Sequence, residues 1–589
     1  MVAIKIQAFG GMQPATDDRL LPDNAGALAK NTWMYDGKLS GMRVPKLIHT
    51  LSDATKRAAF RIPKSQTGVA NLPDAYWLES GAVNASFLKG NVTSATDPRY
   101  YYTDGVNPPR YNVQSRIAAG SSDYVLGIPA PTSAPTVAIA GGVSVLTETR
   151  SYVYTRVSAY GEESPPSPPS VIATNKPDAT WTVTVPAIGA IATDRNITKT
   201  RIYRTITSDQ GVADLYFVAE IAVGTLTYAD AALSSVIVLN ENLSSQGWDP
   251  PPSLQGFVNF PNGMMIGWLN NQIWFCEPFQ PHAWPAAYQL STEFNIVGIG
   301  VYGQTAVICT EGVPYSLTGI NPSGMVLSKI TGLNEPCVSQ GSIVSGPSGV
   351  YYSSPAGLVN VGPNAANVVT TGLVPKDKWQ KLLNITRMNA AMLANAYVTF
   401  SGIGDGCFES TAFENTAFEL ADFTGTRSGA LIELADARIG FNELTSDDPV
   451  YNVFRDVWTN EILMIIGDGV FHLDTTTNAS QGNYQWRSKL YQVGKLVNFS
   501  CAKIFFEDPQ LIPDGSVMPV GGPPLSTFRV YGDGNLILEQ QLGEGQLASG
   551  KMFRLPAGNR YDYYQFEIEG NLLINNMQIA TSPRELLQI

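Results

Sequence analysis

Charged side chains are scarce in this 589-residue chain, at 15% against the ~25% usual in globular proteins. The surface must therefore draw its polarity from Ser, Thr, Asn, Gln, Gly and the backbone. Positive charge is the scarcer sign, with 38 Lys and Arg against 50 Asp and Glu, a net charge of −12. A protein that grips nucleic acid needs a basic stripe to neutralise phosphates, and none is visible. The densest basic stretch, Lys56, Arg57, Arg61 and Lys64, reads as a solvated surface segment.

Histidine is also rare. His49, His282 and His472 are the only three, and none sits in a zinc-ligand or triad spacing. Nucleophile-elbow, P-loop and dinucleotide-binding glycine patterns are absent. A glycosidase needs only two carboxylates, but Glu162 and Glu163 are adjacent and point to opposite faces of a strand. The sequence thus predicts no enzyme, no catalytic residue, no metal site and no cofactor. Asp-Gly pairs lack the spacing of a calcium loop and read as hairpin turns.

Five cysteines, Cys276, Cys309, Cys337, Cys407 and Cys501, are widely spaced with no CxxC. An odd count inside apolar runs predicts buried, reduced thiols and assembly in a cytoplasm. The opening residues show no apolar signal region. No run of 18 apolar residues exists, so no membrane-spanning segment is expected.

Strand signals fill the chain instead. Asp-Gly recurs at Asp36, Asp104, Asp405, Asp468, Asp514 and Asp533, and Asn-Gly at Asn262, which supply the positive φ that tight hairpins need. Helical patterns are few, and cover residues 24–33 and 376–392. A hydrophobic rhythm recurs at Met264, Thr305 and Ser342, spaced roughly 40 residues apart as in propeller blades. Residues 461–474 repeat it, and 76–111 form an earlier blade-like unit.

The predicted fold is mainly β: a β-propeller-like platform with an inserted fibronectin type III/Ig-like β-sandwich and few short helices. Residues 1–128 form an N-terminal β region closing onto the propeller. Residues 129–250 are the sandwich, entered through a Pro-rich linker. They resemble a fibronectin type III domain in the turn Tyr160-Gly-Glu-Glu-Ser-Pro-Pro-Ser and the strand Ile202-Tyr-Arg. Residues 251–402 are propeller blades, 403–450 an acidic insertion or loop, and 451–589 the final blade or blades and a C-terminal β region.

Several passages occur in the order found in the nozzle proteins of short-tailed bacteriophages. They include Phe9-Gly-Gly-Met-Gln-Pro, Leu21-Pro-Asp-Asn-Ala, Asn31-Thr-Trp-Met-Tyr-Asp-Gly, Tyr100-Tyr-Tyr-Thr-Asp-Gly and Leu126-Gly-Ile-Pro. Thr310-Glu-Gly-Val-Pro-Tyr, Pro336-Cys-Val-Ser, Tyr352-Ser-Ser-Pro-Ala-Gly-Leu, Tyr484-Gln-Trp-Arg-Ser-Lys and Thr581-Ser-Pro-Arg-Glu-Leu continue the series. The chain resembles this family, the tail tubular protein B-like proteins, along nearly its whole length.

The resemblance implies a virion tail protein assembled in the host cytoplasm. It implies a homohexamer below the tail adaptor, docking tail fibres and surrounding a channel through which double-stranded DNA passes without specific binding. An acidic lining would repel phosphates, so Asp405, Glu409, Glu414, Glu419, Asp422, Asp447 and Asp448 are the candidate channel or gate residues. A receptor- or glycan-binding tail protein is the alternative, with Tyr100 to Tyr102 as a sugar platform. A glycan depolymerase ranks third.

Overall fold

The computed structural model describes residues 3–587 except 35–36, 66–69, 92–96, 208–212, 347, 364, 394, 402–426, 435–439, 447, 474–480, 508–524, 544, 557 and 559. The chain is mainly β, and the longest helix among the described residues is the seven-residue Lys376–Leu382. It divides into two units, residues 84–329 and residues 1–83 with 330–589.

Three four-stranded antiparallel sheets in the unit 84–329 have their strands in chain order. They start at Ser86–Lys89, Gly256–Phe260 and Ile296–Tyr302 and end at Tyr124–Val125, Leu290–Ser291 and Val326–Lys329. Strand Gly256–Phe260 packs against both other first strands, the side-by-side placement of inner strands in propeller blades. Tight turns make the meanders: Asn270-Asn271 and Gly303-Gln304 each join paired strands, with φ of 56° and 54° at their first residues. Ile266, Trp268 and Phe275 of the second sheet share a core with Ile299, Ile308 and Leu317 of the third.

The sandwich is inserted between the first and second of these sheets. One layer is Thr136–Ala140, Thr180–Thr184 and Thr227–Asp230; the other is Tyr152–Ser158, Ile197–Thr207 and Ala213–Ala222. Alternation places Trp181 and Val183 inside while Thr184 stays out. Those two pack on Tyr152, Tyr154 and Ile202 of the facing layer.

The other unit repeats the blade pattern. One sheet runs from Val344–Gly346 to Ala366–Val368, and a second run from Met388–Leu393 to Gly440–Ser446. A third comprises Val450–Arg455, Ile462–Ile466 and Gly469–His472, and its fourth strand is Lys46–Thr50 from near the N-terminus. Again the first strands are neighbours, with Met388–Leu393 touching Val344–Gly346 and Val450–Arg455. The second run continues through Gly10–Met12, Ala25–Lys30 and Tyr484–Ser488 into the C-terminal strands. There Phe528 and Ile568 share a core with Ile4, Ile504, Ile574 and Ile579 of a separate sheet, so the C-terminal β region is a small sandwich.

Local readings fail in three places. Residues 24–33, expected as a helix, hold strands Ala25–Lys30 and Thr32–Trp33, the former paired with Tyr484–Ser488. Tertiary pairing overrides helical periodicity here, and a Cβ on Gly26 would lie 2.7 Å from Trp486 Nε1. The helix expected over 376–392 stops at Leu382, and Met388–Leu393 is a strand. Tyr76 belongs to a hairpin, Ala58–Pro63 with Ala75–Ser80, and not to the sheet that begins at Ser86.

Candidate functional site

Asp405, Glu409, Glu414, Glu419, Asp422 and Asp447 lie outside the described residues. Asp448 is exposed at a bend, where its carbonyl accepts a 2.8 Å hydrogen bond from Ser446 Oγ. Residues 402–426 connect strands that pair directly, with Phe400 opposite Gly429. Two more acids, Glu433 and Glu443, are half-buried on the strands after this connection. Burial pushes the Glu443 carboxyl above its ordinary value, with Lys30 opposing.

Glu162 and Glu163 are both buried and face different partners. Glu162 accepts from Arg99 at 3.0 Å and Tyr111 at 3.0 Å. Glu163 accepts from Thr155 at 2.6 Å, Tyr203 at 2.8 Å and Arg201 at 3.0 Å. The pair therefore fastens the sandwich to the 86–125 sheet: Glu162 reaches one and Glu163 the other. Arg195 adds to this join through hydrogen bonds to the carbonyls of Leu126 and Gly127.

The histidines are dispersed. His49 stacks on Trp77 and sits 2.9 Å from Glu79. His282 is buried edge-on to Trp248, and burial lowers its pKa. His472 lies 3.7 Å from Glu461, with its pKa likewise lowered by burial. No group of three or more His, Cys, Asp or Glu among the described residues is placed to hold a metal ion.

Tyr100 and Tyr101 are core residues, 1% and 0% exposed, and Tyr102 donates to Asp123 at 2.6 Å. They present no platform for a sugar. Burial raises the Tyr100 phenol to about 12. The basic segment also departs from expectation: Arg61 is paired inside with Asp456, and Arg57 lies 3.8 Å over the Tyr451 ring. Cys276, Cys309, Cys337 and Cys501 are buried free thiols; Cys407 lies outside the described residues.

Sequence reasoning missed the apolar surface of the sandwich. Val143, Val145, Leu146, Val171 and Ile172 are 70–99% exposed, around the ribbon Glu148–Arg150 with Ala173–Asn175. Ala-Gly-Gly and Pro-Pro-Ser turns beside them marked loops, but gave no sign that apolar side chains would face solvent. No helix among the described residues is long and apolar enough to cross a membrane.

No family model and no curated protein matches this chain. Among solved structures, BBS1N in complex with ARL6DN is 9% identical, covers 73% of this chain and 96% of its own, and has a TM-score of 0.27. The C-terminal WD40 domain of Sif2 is 9% identical, covers 50% and 91%, and has a TM-score of 0.18. Superpositions this loose carry no argument about function, and the propeller-like description rests on the strand order and blade contacts of the chain itself.

Proposed function

We propose that the chain is a structural subunit of a short phage tail, forming the nozzle through which genomic DNA leaves and docking the tail adaptor and fibres. The observation that carries this reading is the convergence of the passages that resemble nozzle proteins. Strand Ala25–Lys30 pairs with Tyr484–Ser488, more than 450 residues away in sequence. Phe9 sits edge-on to Trp486, with ring centroids 5.0 Å apart, and Gly10 accepts a 3.1 Å hydrogen bond from Trp486 Nε1. Ser582 of the last passage caps the C-terminal helix through Glu585 N–H. Passages from the two ends of the chain thus serve one unit, as expected if they maintain a platform.

The acidic net charge suits a conduit, because a negative wall repels phosphate and leaves DNA free to move. The exposed apolar residues of the sandwich suit a docking module. The sugar-platform alternative loses its principal residues to the core. Antibody labelling of intact particles under the electron microscope tests the reading. Label on the short tail stem is expected; label confined to peripheral fibres, or absent from every particle, overturns it.

A further inference from the structure

The sandwich carries five arginines on two paired strands or their immediate approach, and three are matched to carboxylates. Arg150 and Arg204 meet Asp230, and Arg201 meets Glu163 and Glu220. Arg195 is held instead by the carbonyls of Leu126 and Gly127, which leaves Arg156. It is 5% exposed, and no carboxylate pairs with it among the described residues. Its Nη1 donates to Thr200 Oγ1 at 2.6 Å and its Nη2 to the Pro186 carbonyl at 2.5 Å. The guanidinium also lies 4.8 Å over the Tyr154 ring. A guanidinium has five N–H donors, so these contacts leave donors available, and a buried cation without an anion is unfavourable.

Arg156 lines a cleft of about 290 Å³ between the Pro-rich linker and the sandwich. Ile128, Pro129, Pro131, Ile188, Ile191 and Ile197 supply apolar walls, and Thr132 and Ser133 add polar surface. Apolar walls with one fixed charged donor are the usual make-up of a small-ligand site, and planar guanidinium donors match a carboxylate. The volume suits a fragment of about the size of one aliphatic residue. We infer that this cleft binds a carboxylate carried on a small apolar body. Such a group arises as the C-terminus of a chain ending in an aliphatic residue or as a free aliphatic acid. The inference is independent of the nozzle reading.

Saturation-transfer NMR on the full chain tests it, titrating N-acetyl-glycyl-leucine and hexanoate, with their amides as controls. Saturable binding of the acid forms, at least tenfold tighter than the amides, is expected. Preference for the peptide assigns the site to chain termini, and preference for hexanoate assigns it to free acids; either supports the inference. Arg156→Met should weaken binding at least tenfold. Ala187→Trp, on the exposed rim, should block the cleft while leaving Arg156 in place, and decides the matter if Arg156→Met does not fold. No saturable binding at millimolar concentration, equal binding of the amides, or binding unchanged by Ala187→Trp overturns it.

Discussion

The guanidinium of Arg61 donates to both carboxylate oxygens of Asp456, at 3.1 and 2.7 Å, across 395 residues of sequence. Their side chains are 0% and 2% exposed. Asp456 also accepts from the backbone N–H and hydroxyl of Thr459. The pair fixes the Ala58–Pro63 hairpin to the sheet that begins at Val450–Arg455. Removing one partner leaves the other charged and buried, so Asp456→Ala should cost ~3–5 kcal/mol. Arg61→Met with Asp456→Leu should cost much less. Denaturant titration of the two variants checks this, and an equal loss in both would assign the effect to packing.

Asp230 stands in the same position within the sandwich. It is 0% exposed and receives Arg204 at 2.6 Å, Tyr152 at 2.8 Å and Arg150 at 3.4 Å. Asp230→Ala would leave Arg204 without a carboxylate and Arg150 with Glu148 alone, and should destabilise the sandwich by ~3 kcal/mol. Limited proteolysis should then cut between residues 136 and 230 first. Resistance equal to wild type would show that the Ala232 carbonyl suffices for Arg204 and Glu148 for Arg150.

The buried histidines give the protein an acid limit. His282, near Glu162 and Arg99, and His472, near Glu461, Lys46 and Asp456, both have pKa values lowered by burial. As pH falls through the ordinary value of about 6.5, the unfolded chain takes up these protons before the folded one. Their contribution is therefore intact above that pH and is lost below it, at up to ~1.4 kcal/mol per pH unit for each histidine. His282→Phe should flatten the fall in melting temperature between pH 6.5 and 5.5. An unchanged slope would assign that fall to other groups.

Thiol chemistry offers a quick check on the cores. Cys276 is 0% exposed and its thiol is pushed up to about 12 by burial. Cys309, Cys337 and Cys501 are buried as well. None of these four should react with a thiol-exchange reagent in the native protein, and all should react in denaturant. Native labelling at Cys276 would show that the second sheet of the 84–329 unit opens to solvent.

Charge reversal tests the conduit idea directly. Lysine at Asp405, Glu409, Glu414 and Glu419 together should slow genome release from assembled particles, because cationic side chains hold phosphates. Single-particle release kinetics at two salt concentrations should show the delay shrinking as salt rises. Release at the wild-type rate removes these residues from the DNA path.

Much of the fold is legible because it is local. The runs at Met264–Phe275, Thr305–Thr318 and Ile462–His472 carry their own turns, and each forms hairpins between neighbours in sequence. Residues 25–30 are not legible in this way. Their main partner lies beyond residue 480, and the nearer one, Gly10–Met12, is a three-residue strand with an irregular register, too short a signal to distinguish strand from helix. The same holds for Arg61, whose burial depends on Asp456. At the level of sites, Glu162 and Glu163 have separate partner sets, but they lie outside any strand, Glu163 forming only a bridge to Val157, so strand alternation is not the cause. Arg156 gave no signal at all. All seven residues of its strand are buried, so no alternation marks it, and lacking an anion is a property of three dimensions.

The strand Lys46–Thr50 completes a sheet whose other members end at His472. During synthesis this short segment emerges early and must wait until more than four hundred further residues have left the ribosome. At the usual rates of translation that interval is on the order of a minute. Its unpaired edge is open throughout to wrong partners, including the same segment on a neighbouring nascent chain. Yield in the cell should therefore depend on how long that edge is shielded, and slower elongation should favour aggregation over assembly.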